Sequence, residues 1–227
     1  MKFLIVIPAR SNSRSIKKKN IFIINKKPLI QYTFEQLKKY SIKMKYLLSD
    51  DKKIKKIAKK FNISIDYKRP KKFSKSNTSL IDTLFHFHQW TKIKKIDYDY
   101  LVVLQPTSPL RNYKDINAAT KLVRDKKYKS LFSISSSLEH PYETIKFYKK
   151  KWKYTLSKSK LYYRRQDFDF ESYFINGAIY IIHRELIIKK RIYDNKKHGF
   201  LIMPKHRSID INDLSEIEIV KKLLKKK

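Results

Sequence analysis

An open α/β sheet, mainly parallel and with helices on both faces, is the fold predicted by three features of this chain. The run Phe3-Leu4-Ile5-Val6-Ile7 is apolar, rich in β-branched residues and closed by Pro8, which is the pattern of a strand buried on both faces. Leu101-Val102-Val103-Leu104 repeats it further along. Between the two, short strands alternate with apolar residues at helical spacing, and repeated βα units make a parallel sheet.

The first strand runs into Pro8-Ala9-Arg10-Ser11-Asn12-Ser13-Arg14-Ser15-Ile16-Lys17-Lys18-Lys19-Asn20, a polar and cationic loop at the strand's carboxyl end. Open α/β sheets bind their ligands there. Ser, Asn, Arg and Lys side chains with exposed backbone N–H groups suit a polyphosphate, so the loop is built for a nucleoside triphosphate. It lacks the G-x-x-x-x-G-K-[ST] spacing of a P-loop.

Leu29-Ile30 through Leu37 has the spacing of an amphipathic helix with Pro28 in its first turn. Tyr46-Leu47-Leu48 is a short strand tipped by Ser49-Asp50-Asp51. Ile54, Ile57, Ala58 and Phe61 mark a helix whose Lys55, Lys56, Lys59 and Lys60 form a solvated face. Ile63-Ser64-Ile65 alternates as a third strand and leads to Tyr67-Lys68-Arg69-Pro70. Asn77 is read as the N-cap of a helix holding Leu80, Ile81, Leu84, Phe85, Phe87, His88 and Trp90. His86 and His88 are two residues apart on it and do not share a face, so they pack or meet solvent rather than bind metal. Asp97 and Asp99 read as loop solubilisers.

Gln105-Pro106-Thr107-Ser108-Pro109-Leu110-Arg111 follows the second apolar run. Two prolines this close stop strand and helix alike and leave Gln105 at a strand tip, its amide free to read a ligand. From Ser133 to Phe170 the βα rhythm breaks. Lys146-Phe147-Tyr148-Lys149 and Trp152-Lys153-Tyr154 pattern as an antiparallel hairpin, followed by an aromatic, charged loop. Asn176-Gly177 by itself is a hairpin-turn signal.

The 227 residues suit a single domain over 1–227, without repeats or a linker. No apolar run approaches the ~18 residues of a membrane span, and the amino terminus lacks the form of a signal peptide. With no cysteine, disulfide and thiolate chemistry are excluded and a cytoplasmic location is expected. The net charge of +35, from 55 Lys and Arg against 20 Asp and Glu, would ordinarily suggest nucleic acid. Here lysine is spread through almost every segment together with Ile, Asn, Tyr and Phe, while Gly and Ala are scarce. Those are the residues of A- and T-rich codons, so base bias filling tolerant surface positions explains the charge. No RNP, helix-turn-helix or zinc pattern is present, and no specific nucleic-acid partner is expected.

Ala9-Arg10, Ser13-Arg14 and Lys19-Asn20 resemble the amino-terminal signature of the sugar-acid cytidylyltransferases, the family of CMP-sialic acid synthetases. Gln105 to Arg111 resembles the family's central motif, and Tyr173-Phe174-Ile175-Asn176-Gly177-Ala178-Ile179-Tyr180-Ile181 its Asn-Gly-Ala-Ile-Tyr strand. Tyr163-Arg164-Arg165-Gln166-Asp167 is similar to the segment that meets the acidic sugar, and Ser208-Ile209-Asp210-Ile211-Asn212 to the metal-binding Asp-x-Asp strand. Three departures stand out. The loop's usual glycines are absent, with Asn12 and Ser15 in their place. Asn212 replaces the second aspartate. Glu143, in His140-Pro141-Tyr142-Glu143, stands where some members carry a basic residue, so the sugar differs from common sialic acid or approaches from another angle.

The resemblance implies a Rossmann-like nucleotidyltransferase fold with a small dimerisation extension over 136–172 that completes the neighbour's sugar pocket in a homodimer. It implies attack of the anomeric hydroxyl of an acidic nine-carbon α-keto sugar on the α-phosphate of CTP, giving the CMP-sugar and pyrophosphate. Arg10, Lys19 and Asp210 would be catalytic. Arg10, Arg14 and Lys19 would draw charge from the triphosphate, Lys19 serving the α-phosphate and the leaving pyrophosphate. Ser13 and Asn20 would donate hydrogen bonds, Arg69 would serve the nucleotide, and Thr78 and Ser79 would touch cytosine or ribose. Gln105, Asn176 and Tyr180 would line the sugar side, with Arg165 and Gln166 meeting the sugar and Arg165 forking its carboxylate. Asp210 would be the chief Mg²⁺ ligand, with Asn212 offering a neutral oxygen from the same face of an extended strand while Asp213 points away. An eight-carbon keto-sugar acid is the alternative acceptor, legionaminic-type and pseudaminic-type acids are not separated from sialic acid, and a basic nucleic-acid-binding protein is the alternative from a different class.

Overall fold

The two apolar runs lie side by side in the middle of a six-stranded sheet. The computed structural model describes residues 1–225 except Asn12, Arg14, Ser41, Ser76, 157–163 and the Arg165 side chain. In chain order the elements are β1 (Phe3–Pro8), β2 (Ile23–Ile24), β3 (Lys27–Pro28), α1 (Leu29–Lys38), β4 (Lys45–Leu48), α2 (Lys52–Lys59), α3 (Leu80–Ile93) and β5 (Tyr100–Val103). There follow α4 (Tyr113–Lys126), β6 (Ser130–Ser136), β7 (Ile145–Tyr148), β8 (Lys151–Tyr154), β9 (Tyr173–His183), α5 (Arg184–Ile188), β10 (His198–Ile202) and α6 (Leu214–Lys225).

The strand order is β10-β6-β9-β5-β1-β4. β1 is parallel to β4 on one side and to β5 on the other, pairing Pro8 with Leu48 and Val6 with Val103. The chain therefore leaves β1 in one direction and later returns to its other flank, which opens a crevice at the carboxyl ends of these strands. Alternation along β1 feeds two cores. Phe3, Ile5 and Ile7 pack with α1, α2 and α4 through Ile30, Phe34, Ile54, Ile116 and Val123, whereas Leu4 and Val6 pack with α3 and α5 through Leu84, Phe87 and Leu186. Each such fully buried side chain contributes about 1.5–3 kcal/mol. Helices thus cover both faces, as the sequence predicts. A third core, with Ile16, Ile24, Leu29, Leu110, Ile211 and Ile217, seats α6 beneath the loops of the crevice.

β9 is antiparallel to both its neighbours, β5 and β6. Its Asn176-Gly177 pair makes no turn. The strand runs through it, with a register shift opposite Phe132 and Ile134 and Gly177 at φ +71°, a conformation that glycine takes without a Cβ penalty. Burial of Ala178, Ile179, Ile181 and Ile182 between two strands outweighs the local turn preference.

Other expectations are corrected at element ends. Pro28 is the N-cap of α1 and pairs with Ile23 in the small β2–β3 sheet instead of opening the helix. Ile63-Ser64-Ile65 is not a strand; Ser64 makes a single parallel bridge to Tyr46 at the sheet's edge. α3 is capped by Ser79 and not by Asn77, since the Ser79 hydroxyl accepts from the Asp82 amide at 3.2 Å and donates to its carboxylate at 2.6 Å. Asp97 and Asp99 are fasteners: Asp97 pairs with Lys2 at 2.7 Å and Arg184 at 3.1 Å, and Asp99 accepts from the Lys2 amide at 2.7 Å. His86 and His88 bond to the hydroxyls of Tyr67 at 2.8 Å and Tyr98 at 2.9 Å, and burial lowers both imidazole pKa values.

Between β6 and β9 the hairpin β7–β8 stands away from the sheet. Lys149 and Lys150 at its tip have φ of +51° and +60°, the two left-handed residues of a type I′ turn. Phe147 and Trp152 pack across it at 4.9 Å, and both are largely exposed, Trp152 by 69%. Among the described residues no helix is long and apolar enough to cross a membrane.

Candidate active site

The crevice at the tips of β1, β4 and β5 contains a cleft of about 320 Å³, and Arg10, Ser13, Lys19, Asn20, Arg69, Thr78, Ser79, Gln105, Asp210 and Asn212 all line it. Most of the residues predicted from the sequence are therefore brought to one place. Their hydrogen bonds divide them into groups that hold the cleft's shape and groups that face into it.

The loop after β1 is held at both ends. Ser11 donates its amide and hydroxyl to the carboxylate of Asp50 at 2.9 and 2.7 Å. Burial opposes ionisation of Asp50, but hydrogen bonds, those from Ser11 foremost, together outweigh it and hold this carboxyl below its ordinary pKa. The Asn20 amide donates to the Arg10 carbonyl at 2.9 Å, so Asn20 shapes the loop. Arg10 reaches across the cleft mouth to the Lys75 carbonyl at 3.1 Å.

Arg69 spends its guanidinium on the protein. It donates to the carbonyls of Phe73 and Leu48 at 2.6 and 3.3 Å and to the Thr83 hydroxyl at 3.2 Å, tying the segment before α3 to the tip of β4. Burial lowers its pKa, and Asp50 opposes the shift. Thr78 donates to the Lys72 carbonyl at 3.2 Å and Ser79 caps α3, so both hydroxyls at this wall already have local partners.

Lys19 is 8% exposed and donates to the carbonyls of Ile211 and Asn212 at 2.8 and 3.3 Å, contacts that span most of the sequence. Burial pushes its ammonium pKa down, Asp210 and Glu216 pull it back, and Arg10 lowers it further. Residues 208–213 form a loop, not the strand expected. The Ile211 amide bonds to the Thr107 carbonyl at 2.8 Å and the Asn212 carbonyl also accepts from Ser15, so both Asp210 and Asn212 reach the cleft without sharing a strand face. Asp213 turns away as the start of α6, accepting from the amides of Ser215 and Glu216 at 2.8 and 3.2 Å.

Gln105, Tyr180 and Asp210 converge on the β9 bulge. A methyl group at Gly177 would sit 3.6 Å from Gln105 Nε2, 3.8 Å from the Tyr180 hydroxyl and 3.9 Å from Asp210 Cγ. Burial raises the Tyr180 pKa, Asp210 raises it further, and a hydrogen bond with Gln105 opposes them. Asn176 is a correction. It is 1% exposed, its oxygen accepts from the Ser133 hydroxyl at 2.6 Å and the Ala178 amide at 3.1 Å, and its nitrogen donates to the Ser208 hydroxyl at 2.9 Å. A side chain so committed supports the bulge from behind.

Gln166 is not brought to this cleft. It lines a second one of about 710 Å³ with Ser136, His140, Phe168, Phe170 and Tyr173, where the aromatic rings cluster around His140. Glu143 closes the single helical turn Pro141–Glu143 and is among the lining residues of neither cleft. Arg14 and the Arg165 side chain, both expected at the site, lie outside the described residues. Asp50, Ser11 and Arg111 were assigned no role from the sequence. The tip residues Ser49-Asp50-Asp51 were the available signal for the first of them.

One metal test is available in the chain itself. Among the described residues Asp210 is the single carboxylate lining the cleft, and its Oδ1 is buried without a hydrogen-bond partner. No group of three or more His, Cys, Asp or Glu residues gathers among the described residues. One carboxylate, one amide oxygen and a bound polyphosphate is a donor set that suits Mg²⁺.

A mostly parallel sheet, a cationic loop after its first strand and a carboxylate facing that loop across the crevice define an α/β nucleotidyltransferase. A family model described as cytidylyltransferase matches residues 4–224, and the chain belongs to that family. It is 28% identical to the N-acylneuraminate cytidylyltransferase of Escherichia coli over the whole of this chain but 53% of that protein, so it spans about half of that relative's length. It is also 28% identical to the CMP-N,N'-diacetyllegionaminic acid synthase of Legionella pneumophila, over 99% of this chain and 97% of that one. In fold it is similar to the CMP:2-keto-3-deoxy-manno-octonic acid synthetase solved with CTP, at a TM-score of 0.69 and 15% identity over 100% and 99% of the two chains. That likeness is one of fold alone.

Proposed function

We propose that this protein transfers CMP from CTP to the anomeric hydroxyl of an acidic α-keto sugar of the nonulosonic type and releases pyrophosphate. The observation that carries the reading is the cleft at the β1 and β5 tips, where Arg10 and Lys19 line the same space as Asp210, the single lining carboxylate among the described residues. Attack by the sugar oxygen forms one O–P bond at the α-phosphorus and breaks the bond to the β-phosphate oxygen. Reactions of this kind leave the protein chiefly with positioning and charge neutralisation. Arg10 binds the triphosphate at the cleft mouth. Lys19 supplies charge beside Asp210 while holding the 211–212 carbonyls. Gln105 and Tyr180 orient the sugar. Arg165 would fork the sugar carboxylate. Mg²⁺, held by Asp210 with Asn212, would neutralise the phosphates and the departing pyrophosphate. The need for CTP and the lack of cysteine support a cytoplasmic setting.

Pyrophosphate release measured with CTP and a panel of N-acetylneuraminic, legionaminic, pseudaminic and eight-carbon keto-sugar acids is expected to need nucleotide and sugar together. Release with none of the acids, alongside tight sequence-selective oligonucleotide binding at physiological salt, would place the protein in the nucleic-acid class. Incidental oligonucleotide binding should instead fall steeply with salt, as counterion release dictates.

The reading includes a homodimer built on the segment 136–172. Ile145, Phe147 and Trp152 are exposed among the described residues, an arrangement that favours burial against a second copy. Light scattering is expected to give twice the chain mass, and Trp152→Ser should shift the population toward monomer. A monomer at all concentrations would remove the hairpin from this role.

A further inference from the structure

Arg111 is among the largest fully buried side chains of the described residues, with 0% exposure. Its Nη1 donates to the Ala178 carbonyl at 2.6 Å and to the Gln105 carbonyl at 3.2 Å, and its Nη2 donates to the buried Thr33 hydroxyl at 3.0 Å. No carboxylate bonds to it among the described residues. Asp115 attracts it from a distance but is bound to Arg207 at 2.8 and 3.2 Å and caps α4. Burial pulls the guanidinium pKa down to about 9, with Asp115 opposing, so it is a cation at neutral pH.

A buried cation without a direct counter-ion costs stability, and an apolar side chain of similar volume would usually pack there at no loss. Its acceptors explain what the charge does. Gln105 lies just beyond β5 and Ala178 follows the β9 bulge at Gly177, so a single nitrogen, Nη1, joins the backbones that carry the Gln105 amide and the Tyr180 ring. The bond from Nη2 to Thr33 fixes the guanidinium plane against α1.

We infer that Arg111 is a positioning residue: its guanidinium clamps the Gln105 and Ala178 carbonyls together and so sets the spacing of the wall that receives the acidic sugar. This rests on the proposed function, in which Gln105 and Tyr180 face the sugar. Lysine keeps the charge but lacks the planar group that Thr33 orients through Nη2 while Nη1 holds both carbonyls.

The test is steady-state pyrophosphate release by Arg111→Lys and Arg111→Ala, with CTP and whichever keto-sugar acid the wild type uses. Loss of the oriented guanidinium is expected to lower kcat/KM for the sugar by about 10²-fold, the scale of a ~1 Å misplacement, while KM for CTP stays within about twofold. Guanidinium ion at concentrations well below denaturing should restore part of the sugar kcat/KM of Arg111→Ala and do nothing for wild type. Should both variants fail to fold, Thr33→Val removes only the third acceptor and should raise the sugar KM in the same direction by a smaller factor. A lowered Tm with both KM values unchanged, or equal losses for CTP and sugar, overturns the inference. Absence of wild-type activity with every acid overturns the proposed function, and the inference with it.

Discussion

Asp210→Asn is expected to reduce pyrophosphate release by about 10²–10³-fold, the range seen when one preorganised electrostatic contact to a developing charge is lost. Asp210 is the single carboxylate lining the cleft among the described residues, and Lys19 and Asn212 flank it. Asparagine is nearly isosteric, so the loop should keep its shape while the negative charge that attracts a cation disappears. The Mg²⁺ concentration for half-maximal rate should rise together with the loss of rate. Asn212→Asp runs the opposite way. A second carboxylate beside the first repels it without metal and should lower that Mg²⁺ concentration when metal is present. Asp213→Asn serves as the contrast, since Asp213 caps α6 and asparagine caps about as well; it should leave both the stability and the titration nearly unchanged. A Mg²⁺ titration unmoved by Asp210→Asn but shifted by Asp213→Asn would falsify the metal assignment.

Lys19→Ala is expected to cost about 10²-fold in turnover at saturating CTP, and by a double route. It removes a cation from the cleft and frees the carbonyls of Ile211 and Asn212, so the Mg²⁺ titration should move as well. The depressed pKa adds a pH signature. A lysine whose folded pKa is lowered loses its proton earlier, so the wild-type rate should fall on the alkaline side below the ordinary lysine value of ~10.5. In stability the sign is reversed. The cost of burying the ammonium is fully present below the folded pKa and is relieved as pH rises through it. Lys55→Ala, on the outer side of α2, should change turnover by less than about twofold. A loss there comparable to that of Lys19→Ala would mean that the α2 lysines are functional rather than solvated.

How far the sequence could be read depended on how local the deciding interactions are. β1 and β5 were legible because runs such as Leu4 to Ile7 have no polar face to place. The cleft was legible because its walls are contiguous segments at strand tips, and tips are where such sheets bind ligands. Ile63-Ser64-Ile65 has the alternation of a strand but borders a sheet edge, where one bridge is all that forms. Asn176-Gly177 carries a turn signal that only the two flanking strands override. The hydrogen-bond duties were the least legible part. Nothing local in the sequence says that Lys19 will meet the carbonyl of Ile211, that Asn176 will be used up by Ser133 and Ser208, or that Arg111 will hold Ala178.

The antiparallel course of β9 also governs how the molecule can be assembled. β9 is central in the sheet yet comes late in the chain, after the hairpin. As the polypeptide emerges from the ribosome, β5 and β6 exist before the strand that joins them, and each has an open edge toward the gap. The crevice has no far wall until Tyr173–His183 has threaded between them, and unpaired edges of this kind invite pairing with other chains. The amino-terminal strands β1, β4 and β5 pair with one another, but their edge at β5 stays open until the late segment zips the two halves of the sheet together.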